Sequence, residues 1–288
     1  MSGMFVAGSS NEVQVQLCQR ITELGEQVSP RGMETCEVLG LGFELTDPRN
    51  RLTTLASRNW SPALAVAELA WNLRGDDHVD ALAFYTPRWR EFADDDGVVR
   101  GSCYGARVFG ACADESTQWL NVVKLLSTDP FSRRAVLNFR VQEDVSKPSV
   151  DVSCTNSLQF VLRDGKLHAF VSMRSNDAIW GVPYDLFLFT SLQELMALEL
   201  GVGLGSYHHY AASMHIYERH QELALRIADE DCRDKGGMPA MASVAGVHAM
   251  AKAEVDLREL GNCAPMADNF SKVCIDLLRR HKKISLAA

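Results

Sequence analysis

The stretch RSNDAIWGVPYD, residues 174–185, joins the end of a predicted strand to the start of a predicted helix. Its polar residues crowd around a glycine and a proline: Arg174, Ser175, Asn176, Asp177 and Asp185. Binding groups concentrate in loops that connect rigid elements. The stretch therefore predicts a binding site at a point where a sheet meets a helix.

The segments on either side of this stretch have clear local patterns. Asp164-Gly165 lies between two alternating runs, 158–163 and 166–174, which favours a β-hairpin with a type I′ turn. Residues 186–200 are strongly apolar and predict a helix that ends at the glycines of the following GVGLG. GVGLG has no preceding strand and no following Lys-Ser/Thr, so it indicates a helix stop and turn rather than a phosphate-binding loop.

In the rest of the chain, the hydrophobic periodicity, the helix-capping residues and the positions of Gly and Pro predict helices toward both ends of the sequence and strands mainly in its middle. The predicted helices are 12–24, 62–73 with Ser61 as N-cap, 119–127, 214–229, 241–260 and 270–281. The other predicted strands are 36–45 and 135–141. We expect an α+β chain in which residues 1–288 form a single domain, and residues 221–288 are a helical C-terminal extension of that domain.

The amino-acid composition limits the kinds of partner that the protein is expected to bind. The 288 residues contain 29 Lys+Arg and 37 Asp+Glu, a net charge of −8, so no global positive field gathers polynucleotides or anionic membranes. The eight cysteines form no CxxC pair and have no histidine at zinc spacing. We expect a cytoplasmic protein with reduced thiols, no metal and no membrane contact, in which any anion is bound by local positive charge.

Three groups of residues are candidates for a chemical role. Glu68 lies in a helix that is apolar nearly all round. This fits a carboxylate on a narrow wet stripe, a carboxylate paired with Arg74, or a partly buried acid whose pKa is raised and that moves protons. Cys154 precedes a strand in a polar loop, where a thiol is accessible. Arg133 and Arg134 form a pair that suits bidentate phosphate contacts, although adjacent surface arginines are common.

Seven motifs, in chain order from residue 31 to residue 220, resemble the thymidylate synthase superfamily. They are AELAWNLRGD with Glu68, RWREFADDDG with Trp89, GSCYG with Tyr104, DPFSRR, SCTNSLQF, RSNDAIWGVPYD and HIY with His215 and Tyr217. The resemblance implies a thymidylate synthase-like α+β fold, with a central mixed sheet flanked by helices and a helical C-terminal region.

The resemblance also implies roles for these residues. Cys154 would add to C6 of a pyrimidine mononucleotide and Glu68 would shuttle protons, with Tyr104 and Asp185 as the other catalytic residues. The implied substrate-binding residues are Arg31, Arg133, Arg134, Arg174, Ser175, Asp177, Gly181, His215 and Tyr217. The co-substrate 5,10-methylenetetrahydrofolate would lie near Trp89, Asp177 and Glu68. Arg133 and Arg134 would reach the neighbouring active site of a homodimer.

Asp185 departs from the family, which has asparagine at this position. An asparagine donates to O4 of uracil and accepts from N3–H. A carboxylate accepts from the amino group of cytosine and from a protonated N3, and a neutral acid donates to N3. The same change is seen in the cytidylate 5-hydroxymethylase branch, which the chain therefore resembles, including the phage enzymes and, from its Ala/Arg/Val-rich composition, those of mildiomycin-type nucleoside antibiotic pathways.

Two further departures concern the surroundings of the nucleophile. Ser153 and Thr155 flank Cys154 where the family has proline and histidine, and Ser213 replaces an aspartate. We expect 5-hydroxymethylation of CMP or dCMP by water attack on a C5-methylene intermediate, and the choice between ribose and deoxyribose stays open. The alternatives are a uridylate or deoxyuridylate C5-methyltransferase and a non-catalytic nucleotide-binding family member.

Overall fold

The centre of the computed structural model is a mixed eight-stranded sheet, and the structure describes residues 3–110, 116–146, 149–234, 236–281 and 283. The strands are β1 Met4–Ala7, β2 Glu26–Val28, β3 Thr35–Leu45, β4 Val136–Asn138, β5 Thr155–Arg163, β6 Lys166–Met173, β7 Asn176–Asp177 and β8 Gly203–Tyr217. Their order is β1-β3-β8-β6-β5-β4, with β2 beside β3 and β7 beside β8. The predicted thymidylate synthase-like α+β class, with helices flanking a mixed sheet, is confirmed.

The helices surround this sheet and form the C-terminal region. They are α1 Ser10–Leu24, α2 Pro62–Leu73, α3 Asp80–Tyr85, α4 Tyr104–Phe109, α5 Gln118–Thr128, α6 Val182–Leu200, α7 Gln221–Ala228, α8 Val244–Leu260 and α9 Asn269–Arg279. None of the helices in the described ranges is long and apolar enough to cross a bilayer. Seven cysteines are free thiols in the structure, and Cys112 lies outside the described residues.

The two faces of the sheet differ in what covers them. On one face, Phe43, His209 and Val171 lie in one row across β3, β8 and β6 and are buried below helices α1 and α6. On the other face, Phe170 and Tyr210 keep 38% and 44% of their surface exposed. The apolar core therefore lies on one side, and the opposite face of the described sheet carries exposed aromatic groups.

Helix α2 is held in the core by its caps and its composition. The Ser61 side chain accepts from the amide of Leu64, and Pro62 occupies the first helical position, where its missing N–H costs nothing. Because α2 packs against α3, α4, α6, α8 and α9, nearly every residue on it is buried. Glu68 is its one acidic residue and is half-buried, so the helix places a carboxylate at the edge of the core.

Most predicted elements are confirmed, but the helix predicted for residues 214–229 is wrong in its first part. Met214 to Tyr217 end the long strand β8, Glu218–His220 form a 3₁₀ turn, and Gln221–Ala228 is α-helical. Strand β8 pairs with β3 on one side and β6 on the other, so its residues face protein on both edges. This tertiary pairing overrides the local pattern. The glycine of the predicted turn at residue 203 is likewise the first residue of β8.

Candidate active site

The hairpin of β5 and β6 brings the predicted nucleophile next to a cation. Thr155 pairs with Met173, so the preceding residue, Cys154, and the following residue, Arg174, lie side by side at the open end of the hairpin. The backbone amide of Arg174 donates to the carbonyl of Cys154 at 2.9 Å. Two residues that are 20 positions apart in the sequence are thus fixed as neighbours.

The Arg174 side chain fixes the loop that carries the thiol. Its Nε donates to the carbonyl of Ser153 and its Nη2 to the carbonyl of Val152, both at 2.9 Å. The same Nη2 lies 3.5 Å from Sγ of Cys154. The guanidinium group therefore holds the nucleophile loop and also places a positive charge against the sulfur.

The surroundings of Cys154 favour its protonated form. Burial raises the pKa of its thiol, and the carboxylates of Asp185 and Asp151 raise it further. The guanidinium groups of Arg174 and Arg31 oppose this rise. Because thiolate is the nucleophilic form, these two arginines are the groups that stabilise the reactive state.

Glu68 is the partly buried acid that the sequence offered as one of three possibilities. Burial raises the pKa of its carboxyl group well above the usual range, the nearby carboxylate of Asp185 adds to the rise, and a hydrogen bond from Trp89 opposes it. The environment thus favours the protonated form. A carboxyl group of this kind can donate and take up protons near neutral pH.

Asp185 lies in the first turn of α6, and its amide donates to the carbonyl of Gly181 at 3.0 Å. Burial is the main cause that raises the pKa of its side chain to about 7; a hydrogen bond from Asn176 lowers it and the charge of Asp177 raises it. Its carboxylate also raises the pKa values of Glu68 and Cys154. The structure therefore brings Asp185 within electrostatic range of two other predicted catalytic residues, Cys154 and Glu68.

Tyr104 is the fourth predicted catalytic residue and lies in the same place. Its hydroxyl accepts a hydrogen bond from Thr155 at 2.9 Å. Burial raises the pKa of Tyr104 well above its usual value, and the charges of Asp185 and Cys154 contribute. Thr155, which takes the position where the family has histidine, is thus used to hold a buried phenol.

The short strand β7 places residues of the stretch 174–185 beside His215 and Tyr217, which are predicted to bind substrate. Asp177 is in register with His215 across β7 and β8, and the Ser175 hydroxyl lies 3.5 Å from Nδ1 of His215. The rings of His215 and Tyr217 meet edge to face at 5.1 Å. Burial lowers the pKa of His215 despite the opposing charge of Asp177, which favours a neutral imidazole.

Gly181 has a packing reason to be glycine. A Cβ at this position would lie 2.2 Å from Oδ1 of Asn176. Its amide donates to the carbonyl of Asp177 at 2.9 Å. A substrate contact by Gly181 stays a prediction, since its amide already has this partner.

The predicted phosphate-binding arginines fall into two groups. Arg174 and Arg31 lower the pKa of Cys154, and Arg31 also lowers that of Tyr217, so both face the site. Arg133 and Arg134 have exposed side chains in the loop before the edge strand β4. Within the described ranges, neither of them donates a hydrogen bond to the residues around Cys154.

Sequence reasoning missed two features beside this site. Asn176, His209 and Tyr207 form a buried hydrogen-bonded chain below Asp185; the alternation of residues 205–211 on a strand could have revealed it, but that strand was not predicted. Trp180 is 40% exposed, with the guanidinium groups of Arg58 and Arg88 at 4.9 and 5.1 Å from its ring centroid.

The described residues contain no cluster of His, Cys, Asp or Glu that could hold a metal ion.

Known proteins similar to this chain include two phage enzymes. Deoxyuridylate hydroxymethyltransferase of Bacillus phage SP01 is 31% identical over 224 residues, which are 74% of this chain and 58% of that protein. Deoxyuridylate hydroxymethyltransferase of Delftia phage PhiW-14 is 30% identical over 193 residues, 62% of this chain and 52% of that protein. The matches thus span little more than half the length of either relative.

The family match extends further along the chain than the motifs do. The model of the thymidylate synthase family matches residues 13–256, which include most of α1 before the first motif, and α7 and most of α8 after the last one. The resemblance is therefore not confined to residues 31–220, and the helices that follow β8 belong largely to the matched region. This match and the convergence of Cys154, Glu68 and Asp185 show that the chain belongs to the thymidylate synthase family.

Proposed function

We propose that the protein transfers a one-carbon unit from 5,10-methylenetetrahydrofolate to C5 of a cytidine monophosphate, CMP or dCMP, and releases the 5-hydroxymethyl nucleotide. The observation that supports this most strongly is the convergence of Cys154, Glu68 and Asp185, with an aspartate whose pKa is raised to about 7. A protein that only binds nucleotide would need neither a thiol held by an arginine nor a buried acid beside it. We assign this reaction to the cytoplasm.

The residues support a covalent route. The Cys154 thiolate forms a bond to C6, and the electrons move toward C5 while Asp185 supplies or stabilises the proton at N3. C5 bonds to the one-carbon unit, loses its proton to a base, and tetrahydrofolate leaves to give a C5-methylene group. Water adds to this methylene, its excess proton goes to a base such as ionised Glu68, and the S–C6 bond breaks to return the thiolate.

Aromatic and positively charged residues around the candidate site are complementary to a folate. Trp89 donates a hydrogen bond to Glu68, so its ring lies beside the reacting groups. The exposed ring of Trp180, with the guanidinium groups of Arg58 and Arg88, offers an aromatic surface and positive charge. Aromatic rings and carboxylates are the two chemical features of folates, and these residues are complementary to both. Bound there, 5,10-methylenetetrahydrofolate supplies the one-carbon unit.

The choice of cytosine rests on Asp185. An ionised carboxylate cannot donate to O4 of uracil, whereas it accepts from the amino group of cytosine. A mispaired buried group costs about 1 to 3 kcal/mol, roughly ten- to more than a hundredfold in binding. The ionised form of Asp185 therefore discriminates for cytosine.

Deoxyuridylate or uridylate is the second candidate substrate, and two observations favour it. The two similar phage proteins are named as deoxyuridylate hydroxymethyltransferases. In addition, a pKa of about 7 makes Asp185 partly neutral at physiological pH, and a neutral acid can donate to O4 while its carbonyl accepts from N3–H.

We also propose a homodimer in which Arg133 and Arg134 bind the nucleotide phosphate of the neighbouring subunit. Support comes from the uncovered face of the sheet, where Val6 is 59% and Tyr210 44% exposed. Exposed apolar patches of this kind mark interaction sites. The exposed side chains of Arg133 and Arg134, at the sheet edge, are free to reach a second copy.

The test is an assay of the full chain with 5,10-methylenetetrahydrofolate and each of CMP, dCMP, UMP and dUMP. We expect the 5-hydroxymethyl product from CMP or dCMP, identified by mass. Cys154→Ser should abolish both turnover and exchange of the C5 proton. Cys263→Ser is the matched control, since Cys263 is also a half-buried thiol but follows α8. Turnover of UMP or dUMP alone would establish the second candidate, and a methylated product would contradict hydroxymethylation.

A further inference from the structure

The carboxylate of Asp151 joins the loop that carries Cys154 to the segment that leads into α4. Its Oδ2 accepts hydrogen bonds from the backbone amides of Gly101 at 3.0 Å and Ser102 at 2.6 Å. Its Oδ1 accepts from the hydroxyl of Ser102 at 3.2 Å. Asp151 lies shortly before Cys154 in the chain, and Ser102 lies shortly before Tyr104. One side chain thus connects the segments of two predicted catalytic residues that are distant in sequence.

The backbones of the two segments also touch each other. A Cβ at Gly101 would lie 2.5 Å from the amide nitrogen of Ser153 and 2.6 Å from the carbonyl carbon of Val152. Because no side chain fits between the segments, glycine at this position allows the two backbones to pack directly. The hydrogen bonds to Asp151 therefore fasten two segments that are already in contact.

A second aspartate makes a more exposed connection between the same parts of the chain. Oδ1 of Asp94 accepts from the amide of Val150 at 2.9 Å, and the hydroxyl of Ser149 lies 3.1 Å from Oδ2 of Asp94. Arg100 donates to the same Oδ2 at 2.7 Å, and 44% of its side chain is exposed. Ion pairs at the surface contribute little, so the hydrogen bonds to half-buried Asp151 are the main polar connection.

The loop is bound to a different element through the residues that follow Asp151. The guanidinium group of Arg174 donates to the carbonyls of the next two residues, both at 2.9 Å. Successive residues of the loop are thus bound to the segment before α4 and to the end of the β5–β6 hairpin. Burial is the main cause that raises the pKa values of Cys154 and Tyr104, and the charge of Asp151 adds to both, which agrees with its place between them.

We propose that Asp151 is a positioning residue for the reaction: by binding the amides of Gly101 and Ser102, it sets the position of the Cys154 sulfur relative to the Tyr104 hydroxyl. This inference rests on the proposed function in taking Cys154 as the nucleophile. Asp151 acts through the loop and touches no reacting atom. A displacement of about 1 Å of a reacting group can lower a rate about a hundredfold, so the position of this loop matters for turnover.

The test compares Asp151→Asn with Asp151→Leu. Both variants remove the negative charge and nearly keep the size of the side chain. Asparagine retains an oxygen that can accept from both backbone amides and an NH₂ group that can donate to the hydroxyl of Ser102, whereas leucine can do neither. We expect kcat of Asp151→Leu to lie roughly ten- to a hundredfold below that of Asp151→Asn, with a much smaller difference in KM for the nucleotide. Equal kcat values in the two folded variants would overturn the inference.

Alkylation of Cys154 by iodoacetamide in the free protein tests the same contact without turnover. The mass of the peptide that contains Cys154 reports the rate. At one pH, Asp151→Leu should react severalfold faster than Asp151→Asn, because a released loop exposes the half-buried thiol. Asp268→Ala is the matched control: Asp268 also accepts from a backbone amide and a serine hydroxyl, both of Ser271, at 2.9 and 2.8 Å, but it does so at the start of α9. It should leave kcat and the alkylation rate unchanged.

Gly101→Ala is a second variant, which acts on the same contact from the other segment and serves if Asp151→Leu does not fold. Its methyl group would push against Ser153, so it should also lower kcat with a much smaller change in KM. Unchanged alkylation and unchanged kcat in the folded variants would overturn the inference, even if the wild type converts cytidylate. Conversely, faster alkylation of Asp151→Leu in a protein that converts no nucleotide would refute the proposed function and still support the placement of Cys154 by Asp151.

Discussion

Asp185 combines two properties that rarely occur together, since it is a carboxyl group at a helix N-terminus and yet its pKa is raised to about 7. A helix N-terminus favours the ionised form. Here burial and the charge of Asp177 outweigh that effect. The consequence is a group that changes its hydrogen-bonding pattern within the physiological pH range.

This property predicts that the preference between bases depends on pH. Below about pH 7 neutral Asp185 can pair with either base, whereas above it the ionised group repels O4 of uracil but still accepts from the amino group of cytosine. Binding of UMP should therefore weaken as pH rises from about 6 to about 9, by up to tenfold per unit, and binding of CMP should weaken less. Calorimetric titration of both nucleotides across this range measures the ratio of their dissociation constants.

Asp185→Asn is the control for this experiment, because an amide does not titrate in this range. The variant should prefer uracil at every pH. If the ratio of the UMP and CMP dissociation constants of the wild-type protein does not change between about pH 6 and about pH 9, Asp185 does not select the base through its protonation.

At the residue scale, the sequence predicted the members of the site but not the contacts that set their chemistry. Cys154, Glu68, Asp185 and Tyr104 were each found from a motif. Their shifted pKa values follow from distances between segments that are far apart in the chain, such as α2 and the start of α6. Asn176 was recognised only as a polar loop residue, because its partner His209 lies 33 positions away on a strand that the sequence did not predict.

At the scale of elements, helices α2 and α4 approach each other closely beside the candidate active site. The amide of Gly105 donates to Oδ1 of Asn72 at 2.7 Å, and a Cβ at Gly105 would lie only 1.8 Å from the backbone oxygen of Asn72. Glycine is therefore required for α4 to pack here. Because α4 begins at Tyr104, this packing also determines where the Tyr104 hydroxyl meets Thr155.

We predict that Gly105→Ala lowers the free energy of unfolding by about 1 to 3 kcal/mol, since backbone must move to admit the methyl group. It should also lower turnover, because α4 moves together with Tyr104. Urea unfolding and steady-state kinetics measure the two effects. Gly3→Ala is the control, as a Cβ at Gly3 has no atom within 4 Å, and equal stability of both variants would contradict the packing argument.

Element boundaries could be predicted where the signal is local. Ser61 and Pro62 fix the start of α2, and Asp164 and Gly165, with φ of 51° and 69°, form the tight turn between β5 and β6. Strand β8 could not be predicted in this way. Its histidines and small residues have weak strand preference, and its position depends on pairing with β3 and β6, which are distant in sequence.

At the scale of the whole molecule, a buried charge joins the C-terminal helix α8 to α2, the helix that carries Glu68. Glu254 of α8 is 1% exposed, and it accepts hydrogen bonds from Tyr85 at 2.9 Å and from Arg258 at 3.0 Å. Its other oxygen pairs with Arg74, which caps α2, at 3.0 Å. Removing Glu254 would take away the partner that these three side chains share, so the region after β8 is part of the scaffold that holds α2 and Glu68. Its description as an extension of a single domain stays a prediction.

The proposed homodimer divides the predicted phosphate-binding arginines between two subunits. Arg31 and Arg174 face Cys154 within the subunit, whereas Arg133 and Arg134 are exposed at the sheet edge. The face of the sheet that α1 and α6 do not cover exposes Val6, Phe170 and Tyr210. Val6 and Phe170 lie in the same row across the sheet, and Tyr210 lies in the next row. A second copy on this face would cover these apolar groups and could bring its arginine pair to the first active site.

This arrangement predicts that two inactive variants restore activity when they are mixed. Cys154→Ser lacks the nucleophile, and the double variant Arg133→Ala/Arg134→Ala lacks the arginine pair. If each site combines Cys154 of one subunit with the arginines of its partner, half of randomly formed dimers are hybrids, and each hybrid has one complete site. Turnover at subsaturating nucleotide, measured after the variants are unfolded and refolded together, should recover to roughly a quarter of the wild-type value. Arginines that served their own subunit would leave no complete site in any hybrid, so the mixture would then be no more active than the separate variants.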